Sequence, residues 1–320
     1  NLGGVFAIWV DESDGISVVK GTHISFDGTI LNPGTGITLN NSSFSRSGVS
    51  LEVIGDGLAG MTWSRSIPVG ASEDENTDIY IQIMDANCNT LLSESTDGGI
   101  PICESPFVQT SPKVTYVNGE QFVVAWQDHR SLENFGDIYM QYIDLEGNAI
   151  LEQNGVGVAI ADGKQIRPRV KGDDSGTYFV WQDYRHNPDY PDIYAHKVDI
   201  EGNPVLVDNG LRITSFEEQN QINPRLTSDG NGGVYFIWED FRNGAFPEVD
   251  VFVQHLNAEN ELTFEENGIL VNAENSLSPV LKNDGSGGVF AAWDDYRIGS
   301  NSIYLQRITP ESGTQFEENG

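Results

Sequence analysis

Apolar residues in this chain come in short runs that end in tryptophan. Six such runs occur, GGVFAIW, GLAGMTW, EQFVVAW, GTYFVW, GGVYFIW and GGVFAAW, ending at Trp9, Trp63, Trp126, Trp181, Trp238 and Trp293. In GGVYFIW an extended backbone puts Val234, Phe236 and Trp238 on one side and Tyr235 and Ile237 on the other. Both sides are apolar, which predicts strands covered on both faces. No stretch shows the periodicity of an amphipathic helix of useful length.

The tryptophans are spaced by 54, 63, 55, 57 and 55 residues, so the pattern is a repeat. After each Trp run comes DIYIQIMD, DIYMQYID, DIYAHKVD, DVFVQHLN or SIYLQRIT, with GISVVKGT as a degenerate first copy. A Gly/Asn/Asp turn, a short strand and an Asn-Gly-type turn follow, and then a Pro-containing strand such as RPRVKGDDSG or NPRLTSDGNGG. We label the Pro-containing strand A, the Trp strand B, the Asp-Ile-Tyr strand C and the next strand D. Four-stranded antiparallel sheets at this period, buried on both faces, predict an all-β, six-bladed β-propeller with residues 1–320 as one domain. The chain starts at strand B of its first blade, so one inner strand is missing. This predicts a domain cut from a longer polypeptide that supplies the strand.

Charge narrows the partners. The 17 basic and 48 acidic residues give a net charge of −31, which disfavours nucleic acid and anionic membranes. No apolar run reaches the length of a membrane span. The two cysteines, Cys88 and Cys103, bracket a short segment and are expected to pair across one hairpin.

Antiparallel order puts the B–C and D–A connections at one end of each blade. Trp-x-Asp-x-Arg lies on the B–C connection in four blades: Asp128 and Arg130, Asp183 and Arg185, Asp240 and Arg242, Asp295 and Arg297. Repetition favours a role in holding the turn. The functional alternative is that a subset, Asp128/Arg130, Asp183/Arg185 and Asp240/Arg242, contacts a polar ligand. Lys113, Arg169 and Arg225, each directly after the Pro of strand A, are candidates for an anion site, for instance for a carboxylate-bearing sugar. The sixth blade has Val280 there. Blade two has Arg65 in place of the Asp and an expanded acidic loop, in which Glu73, Asp74, Glu75 and Asp78 are candidate Ca²⁺ ligands, although their spacing matches no known calcium loop. No other cofactor is expected. The HNPDYP insert, residues 186–191, is particular to the fourth blade.

The turn SDGNGGVYFIW resembles the Asp-box turn of sialidases and related propellers, and the blade pattern resembles TolB-type and WD-repeat propellers. The whole repeat resembles propeller repeats of large secreted surface proteins of the Bacteroidota, which often carry a type 9 secretion sorting domain. That resemblance implies an extracellular, non-catalytic binding, adhesion or surface-assembly module, with a glycan or a surface protein as ligand and flanking domains in the same chain. The alternative is a sialidase-like glycoside hydrolase that uses the B–C face.

Overall fold

The structure, a computed structural model, describes the chain apart from residues 1–3, 13–16, 32–33, 40–44, 67–75, 93–97, 132–135, 217, 245–247, 274, 298 and 318. The described strands form six antiparallel sheets. The first contains β1 (Gly4–Asp11), β2 (Val18–Ser25) and β3 (Ile37–Thr38). The second contains β4 (Ser45–Ile54), β5 (Leu58–Ser66), β6 (Thr77–Met84) and β7 (Ile100–Cys103), and the third β8 (Gln109–Val117), β9 (Gln121–Asp128), β10 (Asp137–Asp144) and β11 (Val156–Ala159). The fourth contains β12 (Gln165–Asp173), β13 (Gly176–Asp183), β14 (Asp192–Val198) and β15 (Leu211–Arg212). The fifth holds β16 (Gln221–Ser228), β17 (Val234–Asp240), β18 (Asp250–Leu256) and β19 (Ile269–Asn272). The sixth holds β20 (Ser276–Asn283), β21 (Val289–Asp295), β22 (Ser302–Thr309) and β23 (Gly313–Thr314).

Each sheet runs A-B-C-D in chain order, and the first has three strands because it starts at B. These are the blades of the all-β, six-bladed propeller class that the repeat predicts. The chain divides into two compact units, Asn1–Val158 and Ala159–Gly320. Among the described residues no helix is long and apolar enough to cross a membrane.

Both faces of the B strands β5, β9, β13 and β17 are buried through their centres, against different neighbours. In the second unit Val234, Phe236 and Trp238 pack with Tyr178, Val180 and Ile193 of the fourth sheet. Tyr235 and Ile237, one residue out of phase, pack with Val289, Ala291 and Trp293 of the sixth. The apolar pattern on both sides of GGVYFIW is therefore the record of two blade–blade interfaces. Successive A strands lie beside one another, β4 with β8 in the first unit and β12 with β16 and β16 with β20 in the second.

The turns are closed by side chains. Asp229 Oδ1 accepts the N–H groups of Asn231 (2.7 Å) and Gly233 (2.9 Å), and Asp284 Oδ1 those of Ser286 (2.7 Å) and Gly288 (3.1 Å). At the C–D step a buried Gln fastens the outer strand. Gln141 Oε1 accepts the N–H groups of Tyr142 and Leu151, both at 2.9 Å, and its Nε2 donates to Glu152 O at 2.8 Å. Gln82, Gln254 and Gln306 do the same in their blades.

The expected Cys88–Cys103 pairing does not form, and both thiols are free and buried. Cys103 pairs with Ile79 at the start of β6, whereas Cys88 follows the end of that strand at Met84. Five residues of strand, roughly 17 Å, separate those levels, well beyond disulfide reach. Burial raises the Cys88 pKa and pushes that of Cys103 up to about 12, so neither thiol is an activated nucleophile.

In the fourth blade His196 stands where the second, third, fifth and sixth blades have the Gln. Its Nδ1 is buried without a partner, and burial lowers its pKa to about 4. A folded His that stays neutral while the unfolded chain protonates near pH 6.5 loses stability as pH falls from about 6.5 to about 4, by roughly 3 kcal/mol in total. Below about pH 4 the loss levels off. His196→Gln should restore the strand clamp, stabilise the protein at neutral pH by about 1–2 kcal/mol and remove this acid-dependent loss. Denaturant titrations of both proteins between pH 7 and 4 check it, and parallel pH profiles would refute it.

Candidate functional site

The Asp–Arg pairs of the B–C turns turn inward on their own blades. Each Asp takes the indole N–H of the Trp two residues before it, at 2.8 Å for Trp126–Asp128, Trp181–Asp183 and Trp238–Asp240 and 3.2 Å for Trp293–Asp295. The Arg two residues later donates its backbone N–H to one carboxylate oxygen and its Nη2 to the other, the latter at 2.6 Å for Arg130, Arg185 and Arg242. The same Nη2 reaches the carbonyls of Asn154, Asn209, Asn267 and Asn319 in the four blades. The guanidinium groups stack over Tyr139, Tyr194, Phe252 and Tyr304. All four carboxylates are fully buried. The hydrogen-bonding groups of Asp128/Arg130, Asp183/Arg185 and Asp240/Arg242 are thus largely engaged by their own blades.

Where the Asp is replaced, the relay fails. Arg65 pairs with Asp78 at 2.6 Å, and the buried Trp63 Nε1 has no partner among the described residues. Of the proposed calcium ligands, Glu73, Asp74 and Glu75 lie outside the described residues, and Asp78 is held by Arg65. Among the described residues no group of three or more His, Cys, Asp or Glu is placed to hold a metal.

The A strands show a feature the sequence reading did not anticipate. Each of β4, β8, β12, β16 and β20 shifts register near its start, and the kinked residue has positive φ: Gly48 (64°), Ser111 (56°), Arg167 (58°), Asn223 (55°) and Ser278 (56°). Four of the five are non-glycine residues directly before a proline, a position strained on both counts. A bulge of this kind re-aims side chains and is common beside functional sites.

In the second unit these kinks gather charge. Arg167 Nη1 donates to Asn223 Oδ1 (2.9 Å), and Asn223 Nδ2 donates to Glu239 Oε2 (2.9 Å). Glu239 Oε1 accepts the backbone N–H of Ser278 (2.8 Å), so this buried carboxylate spans the kinks of β16 and β20. Asn223 N–H donates to Gln182 Oε1 (3.2 Å). Arg225 Nη1 donates to Pro224 O (3.0 Å). Arg169 has a buried Nε without a partner. Burial, with the positive charges of Arg225 and Arg167, lowers its pKa to about 10, and burial likewise lowers that of Arg225. Both remain cationic at neutral pH. Lys113 belongs to the first unit, where its Nζ donates to Pro112 O (2.9 Å).

Arg169 and Arg225, expected at this position, therefore come together with Arg167, Asn223, Gln182 and Glu239, which the sequence reading missed. The missed signal lies in two variable columns of the repeat. The residue before the A-strand Pro reads Ser111, Arg167, Asn223, Ser278, and the residue after the Trp reads Val10, Ser64, Gln127, Gln182, Glu239, Asp294. Only the last two of that second column are acidic, and each pairs across to an A strand just before its kink, Glu239 with Ile222 and Asp294 with Leu277.

No protein-family model matches the chain, and no curated protein matches it. Solved structures do. The α-L-arabinanase of Penicillium chrysogenum, complexed with arabinobiose, aligns with a TM-score of 0.52 and 12% identity over 97% of this chain and 91% of that one. An endo-arabinase from Bacteroides thetaiotaomicron gives 0.45 and 9% over 85% and 95%, and the parainfluenza virus 5 hemagglutinin-neuraminidase ectodomain 0.47 and 9% over 95% and 75%. At these identities the first supports the propeller fold, and the other two add no weight. The expectation of a non-catalytic binding or adhesion module is corrected at this point: the Penicillium structure, which shares the fold, is by name an enzyme, an α-L-arabinanase. The four Asp–Arg loops are near copies of one another. Their sameness reflects blade architecture, and the chemical variety lies instead at the kinks.

Partly buried like charges without full compensation destabilise a fold. Arg169→Met should raise the melting temperature by roughly 1.5 °C, the equivalent of about 1 kcal/mol in a protein of this size. Replacing chloride by sulfate at constant ionic strength should stabilise the wild type more than Arg169→Met or Arg225→Met. Thermal unfolding measures both, and a lower melting temperature for Arg169→Met would contradict the reading.

Proposed function

We propose that this protein is a glycoside hydrolase whose active mouth is built from the A-strand kinks of the second unit, and that its substrate is a glycan bearing a carboxylate. The observation that carries the proposal is the gathering of Arg167, Arg169 and Arg225 beside a buried carboxylate, Glu239, which is tied to Arg167 through Asn223 and acts electrostatically on Arg225. Guanidinium groups match carboxylates by paired N–H donors, and a cation without a full set of partners offers them at low reorganisation cost. Arg169 and Arg225 hold the sugar carboxylate, while Arg167 and Asn223 orient Glu239. Glycoside hydrolysis needs two carboxyl groups flanking the scissile bond, one to protonate the leaving oxygen and one to act as base or nucleophile. Glu239 and Asp294, the two acids of one repeat column, take these roles. The likeness of the repeat to secreted surface proteins supports an extracellular setting, where polymeric glycans are met.

A panel of 4-methylumbelliferyl glycosides carrying uronic acids, sialic acid or neutral arabinofuranose tests this. Turnover is expected with an acidic sugar. Glu239→Gln should lower kcat by roughly 10²–10⁴, and Arg169→Gln or Arg225→Gln should raise KM about tenfold or more with a smaller effect on kcat. Turnover unaltered in both Glu239→Gln and Asp294→Asn would rule out this mouth. Activity on the neutral sugar alone, indifferent to Arg225→Gln, would rule out the anionic substrate.

A further inference from the structure

The HNPDYP insert of the fourth blade builds a pocket of about 310 Å³, within the range of small-molecule sites. Tyr190 and Phe216 give it aromatic walls, and Asn187, Arg212 and Glu218 give it polar ones. The walls are held in place. Asn187 Oδ1 accepts the N–H of Asp189 (2.9 Å) and of Tyr190 (3.3 Å), which folds the insert back over the sheet. His186 Nε2 is hydrogen-bonded to the Tyr194 hydroxyl (2.7 Å). The Arg242 guanidinium, 4.2 Å from the ring centroid, fixes Phe216.

The polar groups that remain are suited to hydroxyls. Asp192 Oδ2 takes both Nε (3.0 Å) and Nη2 (2.6 Å) of Arg212, so that pair is locked and neutralised. Arg212 is still one-third exposed, and its Nη1 makes no described hydrogen bond. The Asn187 amide N–H groups likewise make no hydrogen bond among the described residues. Glu218, exposed and held at φ 60°, contributes an acceptor. With the Asp192–Arg212 pair balanced, Glu218 leaves the walls net negative, which disfavours an anion. Planar polar groups beside aromatic faces suit a ring that carries hydroxyls on its edge and C–H groups on its face.

We infer that this pocket binds a neutral sugar unit of the glycan, a subsite separate from the arginine cluster. The segment from Phe216 runs directly into β16, which carries Asn223 and Arg225, and seven residues span at most roughly 25 Å. Pocket and cluster are thus within reach of one oligosaccharide chain. The inference rests on the reading of the ligand as a glycan, but the two fail separately.

The experiment uses the full chain with Glu239→Gln, so that the probes are not consumed, and the neutral probes arabinobiose, xylobiose and N-acetyllactosamine. Amide and side-chain ¹⁵N spectra are followed during titration. At least one probe should shift the Asn187 side-chain amide and the Arg212 guanidinium signals. Tyr190→Ala and Asn187→Ala, both in a surface loop, should each weaken that binding tenfold or more, whereas Arg169→Gln should not. Absence of shifts with all three probes, or shifts that persist in both loop variants, overturns the subsite. If the loop-sensitive binding is present but acidic glycosides are not turned over, the mouth fails and the pocket stands.

Discussion

A buried indole N–H needs an acceptor, and in a sheet packed on both faces water cannot supply one. In four blades the acceptor is the Asp two residues along the strand. Burying that carboxylate creates a second demand, met by the Arg two residues further on, and the Arg in turn reaches the carbonyl of an Asn in the D-strand turn. That Asn has positive φ, and its side-chain oxygen caps a backbone N–H belonging to the preceding sheet: Glu104 for Asn154, Ser215 for Asn267 and Ala273 for Asn319. One obligatory hydrogen bond thus propagates through a strand, a turn and a blade junction. Such ion pairs add little net stability over a well-packed apolar equivalent, but breaking them is costly, and they fix one register. Glycine completes the device. Gly155, Gly210, Gly268 and Gly320 sit under the tryptophan rings, where an added Cβ would come within 3 Å of the indole.

Because each blade is stitched by residues two and four places after its tryptophan, the residue one place after is released from that duty. It points to the other face, toward the kink of strand A. The position before the A-strand proline is similarly free, since the kink constrains the backbone and leaves the side chain open. Variation therefore collects in these two columns, and in the second unit it brings Arg167, Asn223 and Glu239 into one hydrogen-bonded chain. The strain of positive φ before proline, repeated in four blades, belongs to the scaffold. The chemistry is what the scaffold exposes there.

The blades, their strand order and the burial of both faces were legible because they rest on period and alternation, which survive in one sequence. The missing A strand of the first sheet was legible for the same reason. The kinks were not. A bulge needs one extra residue on one strand, and nothing in SPKV, RPRV, NPRL or SPVL states that the residue before proline takes a left-handed conformation. Arg169 and Arg225 could be picked out as bases in an acidic chain, but Arg167, Asn223 and Glu239 looked like ordinary strand residues until the kink aimed them at one another. The cysteines misled for a related reason: closeness in sequence across a hairpin says nothing of level along the strand, and Cys88 and Cys103 lie at opposite ends of β6. The insert at residues 186–191 stood out as the departure of one copy from its sisters, and that departure is where the pocket formed.

The charge balance constrains how such a mouth can work. A chain with net charge −31 repels an anionic ligand at long range, so electrostatic steering cannot deliver the substrate. At physiological salt that repulsion fades beyond about 8 Å, while partly buried guanidinium groups are screened far less. Attraction by Arg169 and Arg225 is therefore felt only once a carboxylate has reached the kinks, and it acts on those few groups alone. A neutral subsite on the same chain end fits this arrangement, because uncharged sugar units meet no such repulsion. Contacts that a hydroxyl-bearing ring makes at Tyr190 and Asn187 would hold the chain while its one charged unit searches a short distance for the arginines. On the proposed reading the acidic surface would slow the approach of free anions and favour those carried on a neutral chain.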